Sequence, residues 1–286
     1  MSDAPSRTDR RRCGVVGDPI AHSLSPALHR AGYAAEGLSG EGGFTYDAHR
    51  VEAGGLLGFV TGLDPVWRGL SVTMPLKREA LALADEVTPL ARAAGAVNTL
   101  VLDDGRLRGD NTDVPGAVEA LRERGVDAVG SAVVLGGGAT ATSLSLALCE
   151  LGVRRITLVV RSAERAGETV DAVRAHPDVP EVLVTTFAEH LATAPAPADL
   201  VAATVPVDAQ TDEVLDALAG APVVFDAVYD PWPTPLAHAA TSRGGVVVNG
   251  LDLLVHQALL QFEQFTGEST TVEVMRGAGL AALAAR

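Results

Sequence analysis

A chain that keeps a single lysine poses the question of what that lysine does. Of 22 basic residues, 21 are arginine and only Lys77 is lysine; asparagine occurs three times (Asn98, Asn111, Asn249) and isoleucine twice. Codon bias toward G and C explains the depletion, so a lysine that survives it marks a position where arginine will not serve. Arginine stays protonated at any accessible pH, whereas lysine can exchange a proton and its pKa moves on burial. The rival explanation is a solvated lysine left by drift. Lys77 closes the run Ser71-Val72-Thr73-Met74-Pro75-Leu76-Lys77. Two further polar clusters, Gly95-Ala96-Val97-Asn98-Thr99 and Gly109-Asp110-Asn111-Thr112-Asp113, hold two of the three asparagines. All of these fall at predicted strand ends. Earlier, Ser23 and Ser25 set two hydroxyls two residues apart at the mouth of a predicted helix. Backbone N–H groups and both hydroxyls could cradle a carboxylate there; simple N-capping by Ser25 is the alternative.

A second chemical signal lies in Val133-Val134-Leu135-Gly136-Gly137-Gly138-Ala139-Thr140-Ala141. It places G-x-G-x-x-A between an apolar strand and a helix. The first glycine allows the tight turn, the second lets the backbone approach a pyrophosphate, and a small third residue lets helix pack on strand. The phosphate charge then sits at the helix N-terminus. The next strand ends Val159-Val160-Arg161-Ser162-Ala163-Glu164-Arg165, without the acidic residue that would hold a ribose 2′-hydroxyl. Arg161 and Arg165 flank Ser162 instead, and a guanidinium suits a 2′-phosphate, so NADP is expected over NAD.

The elements that must position these groups alternate along the chain. Strands are expected at Cys13–Gly17, Phe44–Val51, Leu70–Thr73, Ser131–Leu135, Arg155–Val160, Glu181–Thr186, Leu200–Ala203, Val223–Ala227 and Val246–Asn249. A hairpin over Ala96–Leu102 and Arg106–Gly109 turns at Asp103-Asp104-Gly105. Helices are expected at Ser25–Glu36, Glu52–Thr61, from Pro75, at Pro115–Arg124, Ala139–Leu151, Leu251–Thr266 and Thr271–Ala285. Such alternation implies βαβ units and mostly parallel sheets, here in two α/β lobes joined near Asp113 and Asn249. Ala194–Ala198 reads as a surface loop.

Length and charge narrow the partners. At 286 residues the chain holds about two domains. Its net charge of −14 repels nucleic-acid phosphates and anionic membranes, so neither is an expected partner. No charge occurs from Ala128 to Cys149, but Gly136-Gly137-Gly138 and five hydroxyl residues sit there; a core strand and buried helix explain it better than a membrane span. An N-terminal arginine cluster has no apolar stretch behind it, and a cytoplasmic protein is expected. Two cysteines, Cys13 and Cys149, make no disulfide framework, and the seven histidines show no HExxH, so no metal is expected.

In the order of its motifs the chain resembles the shikimate dehydrogenase family: GDPI-x-HS-x-SP from Gly17, VT-x-P-x-K ending at Lys77, GAVNT, GDNTD, the glycine loop, Asp226-Ala227-Val228-Tyr229-x-Pro231 with Thr234-Pro235-Leu236, and Gly250-Leu251 through Gln257. The resemblance implies an N-terminal α/β substrate-binding domain, residues 1–113, completed by C-terminal helices over 250–286. A Rossmann-type NADP-binding domain over 114–249 is inserted between them. It makes Ser23 and Ser25 ligands of the substrate carboxylate with Tyr229 nearby, and sets Thr73, Lys77, Asn98, Asp113 and Gln257 around the ring hydroxyls. Gly136, Gly137, Gly138, Ala139, Thr140, Arg161, Ser162 and Arg165 would hold NADP, with Ala227 and Gly250 beside the nicotinamide end.

The implied reaction is reversible reduction of 3-dehydroshikimate to shikimate, a step toward chorismate and the aromatic amino acids. Carbonyl reduction builds negative charge on oxygen and needs a proton donor beside the hydride. Lys77 is the expected donor, and the base in reverse, with Asp113 orienting it and the substrate hydroxyl. His22 and His29 are expected to be structural hydrogen-bonders. Departures from the commonest pattern include Ser71 for Asn before Val-Thr, Arg30 after His29, Val114-Pro115 for Gly, Ala139 for Gly, Val160 for Asn, and Asp252-Leu253 for Gly-Met. They leave the substrate's identity open: a quinate or aminoshikimate dehydrogenase is the near alternative, and a non-catalytic NADP-binding sensor the distant one. Monomer and homodimer are both compatible with the sequence.

Overall fold

The computed structural model describes residues 11–193 and 197–286. Within them the chain forms two compact units: one runs to Thr112 and resumes over Val255–Arg286, the other spans Asp113–Leu254. Part of the arginine cluster and part of the Ala194–Ala198 loop lie outside the described residues.

The first unit begins β1 (Arg11–Gly17), α1 (Ser25–Ala35), β2 (Phe44–Arg50), α2 (Leu56–Thr61), β3 (Trp67–Val72) and α3 (Lys77–Leu83). It continues through β4 (Glu86–Val87), α4 (Pro89–Ala94), β5 (Thr99–Asp103) and β6 (Arg106–Asp110). Its sheet has the order β2-β1-β3-β5-β6-β4. Strand β1 runs parallel to β2 and β3, whereas β5 runs antiparallel to β3 and β6. That mixture decides where the chemistry lies. The C-terminal ends of β1, β3 and β6 and the N-terminal end of β5 fall on one edge, through the pairings Val16 with Val72, Ser71 with Thr99 and Thr99 with Asp110. The β5–β6 hairpin turns on Asp104 and Gly105, both at positive φ (46° and 78°), as a two-residue turn of this hand requires.

The second unit contains α5 (Asp113–Glu123), β7 (Ser131–Leu135), α6 (Ala139–Glu150), β8 (Arg155–Val160), α7 (Gly167–Arg174), β9 (Glu181–Thr186) and α8 (Phe187–Ala192). Then come β10 (Leu200–Ala203), α9 (Asp212–Leu218), β11 (Val223–Asp226), α10 (Pro235–Ser242) and β12 (Val246–Asn249). Every strand pairing is parallel, in the order β12-β11-β10-β7-β8-β9. The chain reverses its direction of travel across the sheet between β7 and β10, which is the topological switch point of a Rossmann arrangement. The uncharged stretch 128–149 is central strand β7 followed by α6, whose residues 141–149 are all buried. No helix among the described residues is long and apolar enough to cross a membrane. Helix α11 (Gly250–Thr266) starts in the second unit and ends in the first, and α12 (Val272–Ala284) follows.

Several local expectations need correction. Ser25 is not a cap: Leu24 occupies that position, and the Ser23 hydroxyl accepts from Ser25 N–H at 3.3 Å. The helix expected from Pro75 begins at Lys77, and the strand expected from Ala96 begins at Thr99. Helix α2 starts at Leu56 and not Glu52, because the Glu79 carboxylate accepts from Gly54 and Leu56 N–H at 2.9 and 2.8 Å. That cap comes from another helix, which local sequence cannot reveal.

Candidate active site

The four polar segments of the first unit are laced together by backbone. Thr73 N–H donates to Val16 at 3.0 Å and Asp18 N–H to Met74 at 2.9 Å. Val97 N–H reaches the Lys77 carbonyl at 2.9 Å, while Val72 N–H bonds the Asn98 carbonyl at 2.7 Å. Asn98 N–H then donates to Asp110 at 3.0 Å. Gly17 permits this approach: a Cβ there would lie 2.4 Å from Thr73 Cγ2 and 2.7 Å from the Met74 carbonyl. Lys77 is the first residue of α3, half-buried, and its main chain is thereby held next to Asn98.

Asn98, only 2% exposed, sits in a polar cluster where its partners decide which way the carboxamide points. Thr112 N–H, which can only donate, meets Asn98 Oδ1 at 2.8 Å. The Thr99 hydroxyl donates to the same oxygen at 2.8 Å. Asn98 Nδ2 is therefore directed to Thr112 Oγ1 at 2.9 Å and to Gln257 Oε1 at 3.4 Å. Gln257 is 6% exposed. Helix α11 thus returns from the far end of the chain to complete a cluster built on β5 and β6. Gly69 makes room for that helix, since a Cβ there would fall 2.0 Å from the Phe265 ring.

His29 departs from expectation. Neither ring nitrogen makes a hydrogen bond, although the residue is fully buried. The ring stacks on Tyr46 at 4.1 Å between centroids and 9° between planes. Burial pushes its pKa down to about 3, against a smaller upward pull from Gln261, so it is a neutral stacking partner.

The second unit builds its candidate site differently. Gly136 holds φ at +119°, and a Cβ would fall 2.2 Å from Thr204 Oγ1, the hydroxyl that donates to the Leu135 carbonyl at 2.8 Å. Gly138 is the N-cap of α6 without a side-chain cap, and nothing lies within 4 Å of a Cβ built there. The start of α6 thus has no side-chain cap and room beside Gly138, which fits a dinucleotide pyrophosphate. Gly137, Ala139 and Thr140 are partly exposed around them. Arg161 is exposed directly after β8, and Ser162 is partly exposed beside it. Arg165 falls in the 3-10 turn Ala163–Ala166, with its side chain outside what the structure describes.

Ala227 and Gly250 come together: a Cβ on Gly250 would lie 2.1 Å from the Ala227 carbonyl oxygen. Just before them, the fully buried Asp226 carboxylate accepts from Thr234 Oγ1 at 2.7 Å, Gln210 Nε2 at 2.8 Å and Val228 N–H at 3.1 Å. Burial raises its pKa and those bonds oppose the rise. They pin the segment carrying Tyr229, which is half-buried. Asp252, one of the departures, is 1% exposed. It accepts from Asn249 N–H at 3.2 Å while Asn249 Oδ1 accepts from Asp252 N–H at 2.8 Å, a reciprocal cap on α11. Its Oδ2 also pairs with Arg124 at 2.9 Å.

Ser23, Ser25, Thr73, Lys77, Asn98 and Gln257 thus belong to the first unit. Asp113, 7% exposed, is the first residue of the second, which also carries Tyr229 and the glycine loop. Residues 15–100 match the shikimate dehydrogenase substrate binding domain, and residues 250–278 match the shikimate 5'-dehydrogenase C-terminal domain. A shikimate dehydrogenase (NADP(+)) from Symbiobacterium thermophilum is 39% identical, over 97% of this chain and 96% of its own. The chain belongs to the shikimate dehydrogenase family. Among solved structures, Mycobacterium tuberculosis shikimate dehydrogenase superposes with a TM-score of 0.85 at 43% identity, covering 95% of this chain and 99% of that one. The Thermus thermophilus enzyme in complex with NADP(H) and shikimate gives a TM-score of 0.83 at 31% identity, with the same coverage. The family expectation and the α/β fold with its Rossmann-type unit therefore hold.

Thr99 and Thr112 stand inside the GAVNT and GDNTD motifs with no role expected of them, and Gln261 lies outside every motif. The signal was available for Gln261: it stands four residues after Gln257 on one helix, and residues so spaced share a face.

Proposed function

We propose that the chain is an NADP-dependent shikimate dehydrogenase that reduces 3-dehydroshikimate reversibly to shikimate, feeding chorismate and aromatic amino-acid biosynthesis as the family implies. The observation that carries this reading is the lacing of the Gly17, Thr73–Lys77, Asn98 and Asp110–Thr112 segments along one sheet edge. It occurs in a chain aligned over 97% of its length with a protein bearing that name.

In this reading Ser23 and Ser25 bind the substrate carboxylate with Tyr229, and Thr73, Asn98 and Gln257 grip the ring hydroxyls. Residues 1–113 with 250–286 act as the substrate domain and 114–249 as the nucleotide domain. Gly136 to Thr140 hold the pyrophosphate, Arg161, Ser162 and Arg165 the 2′-phosphate, and Ala227 and Gly250 border the nicotinamide. NADPH, when bound, supplies the hydride. Lys77 Nζ delivers a proton to the oxygen on which charge develops, and takes one back in the oxidative direction. Asp113 is the orienting carboxylate and not the main base.

Absorbance at the reduced-nicotinamide band, with shikimate or quinate and either coenzyme, tests the assignment. Turnover is expected with shikimate and NADP+. A clear preference for quinate with NAD+ overturns it in favour of a paralogue, and NADP+ binding without turnover of any cyclic hydroxy acid identifies a sensor.

A further inference from the structure

One buried chain of polar side chains in the first unit joins Asn98 to four residues that have no role in the reaction just proposed. Tyr46 donates its phenol proton to Ser71 Oγ at 2.5 Å, and Ser71 donates in turn to Gln261 Oε1 at 2.6 Å. Gln261 Nε2 donates to the Asn98 carbonyl at 3.0 Å and to Thr99 Oγ1 at 2.9 Å. Thr99 then donates to Asn98 Oδ1. Gln261 is 1% exposed, Ser71 5%, and Tyr46 and Thr99 are fully buried.

The direction of the chain follows from its ends. A main-chain carbonyl can only accept, so Gln261 must turn its nitrogen to Asn98 and its oxygen to Ser71. Ser71 must then give its one proton to Gln261 and receive at its oxygen, which the Tyr46 phenol provides. The His29 ring stacks on the face of Tyr46, and the Tyr46 hydroxyl also lies within reach of the Ser25 side chain. The departure from Asn to Ser at this position is thereby explained: the proton of Ser71 goes to Gln261, not to a substrate. Gln261 also lies one turn beyond Gln257 on α11, so one helix presents both carboxamides to Asn98.

We infer that Gln261 is a positioning residue for the substrate-binding carboxamides, held in register by a clasp of Ser71 and Tyr46 and acting on substrate through Asn98. The inference deepens the reading above and rests on it for its kinetic readout. Gln261→Leu removes the donor pair and the acceptor; Ser71→Ala and Tyr46→Phe remove successively more distant members. Loss of buried hydrogen bonds of this kind corresponds to roughly a 10-fold rise in KM for shikimate for Gln261→Leu and about 3-fold for Tyr46→Phe. The KM for NADP+ and kcat should stay within about 2-fold, because the reading above gives Tyr46, Ser71 and Gln261 neither nucleotide binding nor proton transfer. The double variant Ser71→Ala/Gln261→Leu should be no worse than Gln261→Leu alone, as members of one chain are not additive.

A readout independent of turnover separates this inference from the assignment of substrate. The chain has only three asparagines and four glutamines, so its side-chain amide NMR signals are few. In the full-length protein, Tyr46→Phe should shift the Gln261 and Asn98 amide pairs while leaving Gln210 in place. If those pairs do not move, or if KM for NADP+ rises and kcat falls as far as KM for shikimate rises, the clasp is only structural and the inference is overturned. Should Gln261→Leu fail to fold, Tyr46→Phe, which deletes a single oxygen, carries both measurements. A wild-type chain inert toward shikimate defeats the substrate reading, and the amide shifts still decide the wiring.

Discussion

The two units solve the problem of placing polar atoms in opposite ways. In the first, a mixed sheet brings three strand ends and one strand start to a single edge, and the groups there are side chains wired to one another in the interior. In the second, an all-parallel sheet leaves its switch point to main-chain N–H groups, and the chemistry is written in missing side chains: Gly136, Gly138 and Gly250. A buried side-chain network fixes orientation atom by atom and fails when any member is lost. A backbone cradle tolerates almost any neighbour but not a Cβ in the wrong place. On the reading proposed above, most substrate-gripping side chains would come from the first unit, with Asp113 and Tyr229 from the second, which would also carry the phosphate cradle.

The sharpest way to break that contrast is at Lys77. Lys77→Ala should lower kcat by about 10²–10⁴ with KM for shikimate changed far less, since general acid–base help is of that order. Lys77→Arg should do no better, because arginine keeps its proton. Near-normal turnover of either variant would remove the proton donor from the first unit.

Next in size is Arg161→Ala. Loss of a charge-assisted contact to a 2′-phosphate should raise KM for NADP+ by about 10-fold or more while leaving rates with NAD+ nearly unchanged. Equal effects on both coenzymes would mean that this exposed arginine reads no 2′-phosphate. Within the glycine loop, Gly136→Ala should destabilise by on the order of 1–3 kcal/mol, from strain at positive φ and the clash with Thr204. Gly138→Ala, with open space around it, should leave the melting temperature within about 1 °C and act only on nucleotide affinity. Calorimetry on the pair separates fold from function in one loop.

Acid sensitivity is a separate test of the contrast, and its sign differs between the units. His29 is held neutral, with its pKa about 3 against an ordinary 6.5. The unfolded chain therefore takes up a proton first as pH falls. Stability is full above 6.5 and is lost toward 3, at about 1.4 kcal/mol per pH unit. His49, also pushed down by burial, adds to the slope. Asp226 in the second unit is pushed up, so its contribution is present below the ordinary carboxyl value and is lost as pH rises through the raised one. His29→Phe should flatten the fall in melting temperature between pH 6.5 and 4. An unchanged slope would place the acid-labile group elsewhere.

Much of this was legible beforehand, for physical reasons. Apolar runs bounded by glycine and proline located β7, β8 and β10 to the residue, because a strand buried on both faces must be continuously apolar; the edge strands β9 and β12 were located equally well although most of their residues are not buried. The rarity of lysine and asparagine pointed to segments that the backbone does lace together. What stayed hidden depends on partners distant in the chain. Glu79 caps α2 from another helix, and Gln261 meets Asn98 across 163 residues. His29 was misjudged because a histidine stacked on a tyrosine looks, in sequence, like one with a hydrogen bond to make. Short β4 and α4 escaped since two and six residues carry too little periodicity to read.

The first unit is interrupted: Asn98 and Thr112 emerge from the ribosome long before Gln257 and Gln261, which lie 159 and 163 residues beyond Asn98. Domains fold as units during synthesis, with earlier segments first. The inserted nucleotide unit must therefore be translated in full before the amides of the first can find their acceptors. A chain truncated just before α11 would own the glycine-loop cradle and an unfinished grip on its sugar-like acid, so translation itself sets the order in which the two become competent.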